Sequence, residues 1–141
     1  MARGVGLVFS RNIQFKLIGD TRIMDLSEKV KTGDPVAEFG LANAFFAGKD
    51  IPKDESKGAV LLERAARDGL PEAQFQMAER AYGTGSNPET YVAAYVWYAL
   101  AQLSGYDPSQ GKAEVVAAEM TPEQLSEAQK ELEKFAAPPP R

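Results

Sequence analysis

The sequence predicts an all-α fold: an α/α solenoid of two full 36-residue helix-pair repeats with capping helices at both ends. Three observations predict it. Gly33, Ala37, Leu41, Phe46, Pro52, Leu61, Ala65 and Gly69 recur 36 positions later as Gly69, Ala73, Met77, Tyr82, Pro88, Trp97, Ala101 and Gly105. A fixed period of this size marks units that bury their apolar faces only by stacking on their neighbours. Glycines punctuate the helical stretches at Gly33, Gly48, Gly69 and Gly105, where a left-handed residue stops a helix. Small residues at Ala37, Ala65, Ala73, Ala94 and Ala101 let helix backbones approach closely, while Leu41, Leu61, Met77 and Trp97 fill the space between successive pairs.

Each element follows from its local signals. Val5, Leu7 and Phe9, then Ile13, Phe15 and Leu17, alternate around Ser10-Arg11-Asn12, which predicts a short β-hairpin or extended arm within an N-terminal segment, residues 1–20. From Thr21 the period becomes helical, with Ile23, Leu26 and Val30 on one face before the stop at Gly33. Asp34-Pro35 is a cap and first-turn pair for a helix running to Ala47. After a loop over 49–53, Asp54 caps a second helix that carries Val60, Leu61, Leu62, Ala65 and Ala66 and stops at Asp68-Gly69.

The second unit repeats this with a helix over 71–82, a loop over 83–89 and a helix over 91–104. Residues 111–119 then read as a helix with Val115 and Val116 inward. Thr121-Pro122-Glu123-Gln124 is a capping-box start, and the last helix carries the stripe Leu125, Ala128, Leu132 and Phe135. The repeat domain therefore spans residues 21–135, and residues 136–141 form a Pro-rich tail.

With 141 residues, 44% hydrophobic and 26% charged, the chain fits a single soluble domain that needs no disulfide or metal for stability. A net charge of −4 argues against a nucleic-acid partner, because phosphate neutralisation requires a clustered basic face. The denser basic region Arg3, Arg11, Lys16 and Arg22 is short and interrupted, and reads as a solvated edge. The apolar run Val5 to Phe9 is too brief for a signal peptide, and no stretch approaches a membrane-spanning length, so membrane insertion is not expected. The expected location is cytoplasmic, or periplasmic if the chain is an excerpt of an exported protein; the abrupt start and the ending Ala136-Ala137-Pro138-Pro139-Pro140-Arg141 suit an excerpt.

The composition also bounds the chemistry. Without histidine or cysteine, the chain cannot build a Ser-His-Asp or Cys-His site or a His-based metal site. No catalytic residue, metal ligand or cofactor is expected. Asp50, Asp54 and Glu55 lie close enough in sequence to suggest a hard-cation site, but the capping role of Asp54 with its neighbours facing water is the reading preferred. Gly83-Thr84-Gly85-Ser86 lacks the lysine and preceding strand of a phosphate loop and reads as an inter-helix turn. Glu123, Glu127, Glu131 and Glu133 alternate with Lys130 and Lys134 on a solvated helix face. Of the clustered aromatics Tyr91, Tyr95, Trp97, Tyr98 and Tyr106, Trp97 takes the repeat's packing position and is assigned to the core.

The frame Ala37-x3-Leu41-Ala42-x2-Phe45-x2-Gly48 followed by Asp54-x6-Leu61-x3-Ala65-Ala66-x2-Gly69 resembles one Sel-one-like repeat, the 36-residue relative of the tetratricopeptide repeat. Ala94-x2-Trp97-x3-Ala101-x3-Gly105 matches a second copy, and residues 120–129 are similar to the end of many bacterial members. Gly58 stands where the family usually has alanine, Thr84 replaces a loop glycine and Gln102 breaks the second alanine pair. The resemblance implies a stack that binds other proteins, without catalytic residues. The expected partner is another protein or peptide, bound by an adaptor, scaffold or regulator; the alternative is an inhibitor or immunity-type protein that blocks one enzyme or toxin. The chain does not fix an oligomeric state.

Within each first helix, Ala37, Leu41 and Phe45, and then Ala73, Met77 and Ala81, form the stripe expected to pack on neighbouring helices. A second stripe remains: Phe39, Asn43 and Phe46 in the first unit, with Phe75, Glu79 and Tyr82 at the same positions of the second. In tetratricopeptide-like stacks these positions line the concave side, and exposed aromatics there would mark a docking surface. The residues leave open whether Phe46 and Tyr82 are instead buried against the N-terminal arm or each other.

Overall fold

A computed structural model of the chain describes residues 22–85 and 87–136. The expected hairpin or arm over residues 5–18, and residues 137–141 of the Pro-rich tail, lie outside the described residues. Among the described residues there are seven α-helices and a short 3-10 turn, and no strand. The chain divides into two compact units, residues 1–64 and 65–141.

In the first unit, α1 covers residues 22–31, α2 Pro35–Ala47, and α3 runs over Glu55–Arg67, its last residues belonging to the second unit. Helix ends leave backbone groups without intrahelical partners, and the sequence supplies them. Asp34 Oδ1 accepts from the Val36 and Ala37 N–H groups at 2.9 and 3.4 Å. At the other end of α2, Gly48 adopts φ 66° and its N–H donates to the Ala44 carbonyl at 2.9 Å. That glycine is needed twice over, since a Cβ there would also stand 2.9 Å from Lys53 Cβ. Asp54 Oδ1 accepts from the Lys57 N–H at 3.0 Å and opens α3.

Ala37, Leu41, Ala42, Ala44, Leu61 and Leu62 are buried. Helix α1 lies against α2 at Gly40, where a Cβ would meet Leu26 Cδ2 at 3.2 Å. Of the apolar residues that α3 carries, Val60 is 57% exposed. Successive helical residues are about 100° apart, so Val60, Leu61 and Leu62 do not all share one face. Glu38, to which the sequence reading gave no role, is buried, and Arg64 Nε lies 3.5 Å from its Oε2.

The second unit contains α4 (Pro71–Gly83), α5 (Pro88–Leu103), the 3-10 turn Asp107–Ser109, α6 (Lys112–Ala117) and α7 (Pro122–Ala136). Helix α5 is its centre and packs on α4, α6, α7 and the turn. This follows from its composition: Ala94, Val96, Trp97, Tyr98, Ala99 and Ala101 are all buried. It begins earlier than the expected Tyr91, because Asn87 caps it through Oδ1 to the Thr90 N–H at 2.9 Å with Pro88 in the first turn. Gln74 holds the repeat position of Glu38 and is also buried; its amide donates to the Ala66 carbonyl at 3.0 Å.

Helix α6 is short, and it buries Val116 while leaving Val115 56% exposed. The expectation that both point inward is corrected for the same angular reason as at Val60. The capping box forms as read: Gln124 N–H donates to Thr121 Oγ1 at 3.2 Å and Thr121 N–H to Gln124 Oε1 at 2.9 Å. Along α7, Ala128 is buried and Leu125 and Leu132 are half-buried. Phe135 sits at the rim with its ring centroid 5.3 Å from that of Trp97, and the Arg67 guanidinium lies 5.6 Å from the Phe135 ring.

Candidate functional site

Phe39, Asn43 and Phe46 share one side of α2 by their i, i+4, i+7 spacing, and all three are half-buried. Phe46 is held by α3. A Cβ on Gly58 would meet its ring at 2.6 Å from Cε1, 2.8 Å from Cδ1 and 3.0 Å from Cζ, so the ring fills the space an alanine would need. This accounts for the departure at Gly58. Phe45, expected in the packing stripe, is only half-buried. It borders an open cleft of about 310 Å³ lined also by Ser56, Lys57, Val60 and Leu61, with the Lys57 ammonium 5.8 Å from its ring. The signal for this was the Phe45-Phe46 pair, since adjacent helical aromatics diverge by about 100°.

In the second unit Phe75 and Tyr82 are half-buried and Glu79 is exposed. Phe75 meets Tyr106 edge-on at 5.4 Å between centroids and lies 5.9 Å from Tyr98. Glu79 Oε1 accepts from the Tyr98 hydroxyl at 2.6 Å and from Lys112 Nζ at 3.3 Å. The Lys112 ammonium is 5.9 Å from the ring centroids of both Phe75 and Tyr98. Burial, and then the hydrogen bond to Glu79, hold the Tyr98 phenol well above its ordinary pKa. At the far end of α4, the hydroxyls of Tyr82 and Tyr91 donate to the two oxygens of Glu119 at 2.5 and 3.0 Å. Those two hydrogen bonds stabilise the charged carboxylate and lower the Glu119 pKa, and the bond to Glu119 raises that of Tyr82.

The α4 part of the second stripe is thus joined to Lys112, the first residue of α6, and to Glu119, just beyond its end, both of which sequence reasoning missed. Tyr91 and Tyr98 carried a partial signal, being seven residues apart on one face of α5. Of Asp50, Asp54 and Glu55, two are used locally: Asp54 caps α3 with its Oδ2 4.0 Å from Lys57 Nζ, and Glu55 Oε1 lies 3.7 Å from Lys53 Nζ. Among the described residues no group of three or more Asp, Glu, His or Cys side chains is placed to hold a metal ion. In the turn after α4, Thr84 Oγ1 donates to the Ala81 carbonyl and Thr90 Oγ1 to that of Gly85.

The model of the Sel1 repeat family matches residues 35–70 and 71–106, the α2–α3 and α4–α5 pairs. The chain belongs to the Sel1 repeat family. Sel1 repeats are generally protein-interaction modules built as non-catalytic scaffolds. Among solved structures, the chain is similar to a protective antigen of uropathogenic Escherichia coli strains that displays an SLR fold, at 26% identity and a TM-score of 0.70. That match covers 80% of this chain and 24% of the antigen, so this Sel1 chain spans only part of that protein's length. A Sel1 repeat protein from Oxalobacter formigenes shares the fold at 22% identity and a TM-score of 0.59, covering 76% of this chain and 96% of its own. No curated protein matches the Sel1 chain. Among the described residues no helix is long and apolar enough to cross a membrane.

Proposed function

We propose that this Sel1 repeat chain is an adaptor whose repeat domain, residues 21–135, binds a partner protein or peptide through the second stripe of each repeat's first helix. The supporting observation is that both repeats keep large aromatics incompletely buried at equivalent positions, Phe39 and Phe46 in α2 and Phe75 and Tyr82 in α4. An acidic chain gains nothing for its own solubility from half-exposed rings, and such rings are the residue type that anchors protein interfaces. Polar neighbours Asn43 and Glu79 supply directional contacts beside them.

The test starts from a pull-down with the intact chain and mass spectrometry to identify the partner. A Phe39→Ala, Tyr82→Ala double variant is then compared with the parent for binding and for thermal midpoint. Because Tyr82 also bonds Glu119, Tyr82→Phe in the Phe39→Ala background separates the ring from the hydroxyl. Lost binding with an unchanged midpoint supports the docking surface; retained binding in a folded double variant removes it.

A further inference from the structure

We propose that Phe75, Tyr98 and Glu79, braced by Tyr106, form a seat for a single lysine side chain of the partner, occupied until docking by the chain's own Lys112. The inference rests on the reading that a partner docks along the α4 stripe, and it specifies what that partner must present. Two ring faces at 5.9 Å and one carboxylate oxygen at 3.3 Å surround the Lys112 ammonium. Aromatic faces attract a cation through their quadrupole, and a carboxylate adds charge and an acceptor. A primary ammonium suits the combination, since it donates to Glu79 where a quaternary one has no proton to give.

The seat is built before any ligand arrives. Tyr98 is 1% exposed and its hydroxyl pins Glu79 Oε1 at 2.6 Å, so the carboxylate is oriented by a residue that does not move with solvent. Tyr106 meets Phe75 edge-on and fixes the second wall. The entrance is open, for the side chains of Lys112 and Glu79 are each 45% exposed. Lys112 is the first residue of the six-residue α6 and follows Gly111 at φ 79°, so its side chain can leave without unwinding a long helix. Exchange of one lysine for another conserves the ion pair and both ring contacts, and Glu79 is never left without a counter-charge. The resident lysine therefore weakens apparent affinity by the fraction of time it occupies the seat.

The test needs no partner. Nα-acetyl-lysine methylamide is titrated at constant ionic strength into the parent and into Lys112→Ala, following the ring resonances of Phe75, Tyr98 and Tyr106. Saturable shifts are expected in Lys112→Ala with a dissociation constant about tenfold or more below that of the parent. Adding Glu79→Gln should abolish them, and tetramethylammonium should bind Lys112→Ala several-fold more weakly than the lysine probe does. Lys112→Ser provides a second emptied seat if the alanine variant loses its helical circular dichroism. Absence of saturable shifts in a folded variant, equal affinity for variant and parent, or indifference to Glu79→Gln overturns the proposal. Such a failure leaves the adaptor reading to its own aromatic variants, whose outcome does not depend on this probe.

Discussion

Replacing Gly58 by alanine asks whether the Phe46 ring is part of the packing of α2 on α3 or swings aside at little cost. In a helix interior, glycine to alanine contributes about 0.8–1 kcal/mol from backbone entropy alone. Here the new Cβ would lie 2.6 Å from Cε1, 2.8 Å from Cδ1 and 3.0 Å from Cζ of Phe46, closer than carbon atoms approach. The ring must move, either straining the pair or turning a half-buried aromatic toward water. Overpacking of this kind costs about 1–3 kcal/mol. The two effects oppose each other, and the net expectation is a loss of about 0–2 kcal/mol in the parent. In a Phe46→Ala background the three ring atoms nearest that Cβ are gone, and the same substitution should stabilise by about 1 kcal/mol. Urea unfolding of the four proteins by circular dichroism yields the coupling, expected at about 1–3 kcal/mol with unchanged denaturant dependence. Stabilisation of the parent by the full glycine-to-alanine increment, with no coupling to Phe46, would refute the packing argument and return Phe46 wholly to the docking stripe.

Trp97→Ala should lower stability by about 3–5 kcal/mol as a buried large-to-small change; an unchanged melting midpoint would show that the indole is not part of the core. Glu119 has its pKa lowered in the folded chain, so its contribution is present above the ordinary glutamate value near 4.5 and is lost as pH falls through the lower folded value. Glu119→Gln should flatten that part of the acid limb of a stability–pH curve, and an identical curve would show the two tyrosine bonds to be without consequence. Tyr98 has its pKa raised, so its contribution is complete below 10.0 and declines as pH rises above it. Its phenolate absorbance should appear only together with unfolding, and titration of Tyr98 in the native chain would contradict its burial. Calcium at millimolar concentration should leave the melting midpoint unshifted, since Asp54 is already engaged in its cap; a rise of several degrees would revive a site at Asp50, Asp54 and Glu55.

The period and the helix ends were legible in the sequence because their causes are local. Asp34, Asp54 and Thr121 each bond backbone N–H groups two or three residues away, and Gly33, Gly48, Gly69 and Gly105 all take positive φ values at the stops assigned to them. Asn87-Pro88 is the same kind of signal, overlooked within a polar loop, and it moved the start of α5. Burial within a helix was only half legible: the repeat pattern placed Ala37, Leu41, Ala73 and Trp97 inward, but hydrophobicity alone did not separate Val60 from Leu61 or Val115 from Val116. Tertiary structure alone decided that Phe46 rests on Gly58, that Glu38 is buried beside Arg64 while Gln74 at the same repeat position bonds a carbonyl, and that Lys112 and Glu119 reach the α4 stripe. The last two contacts join residues 33 and 37 positions apart. A cap is set by backbone geometry within one turn, whereas such contacts depend on the rotation and spacing of packed helices, which no short stretch of sequence specifies.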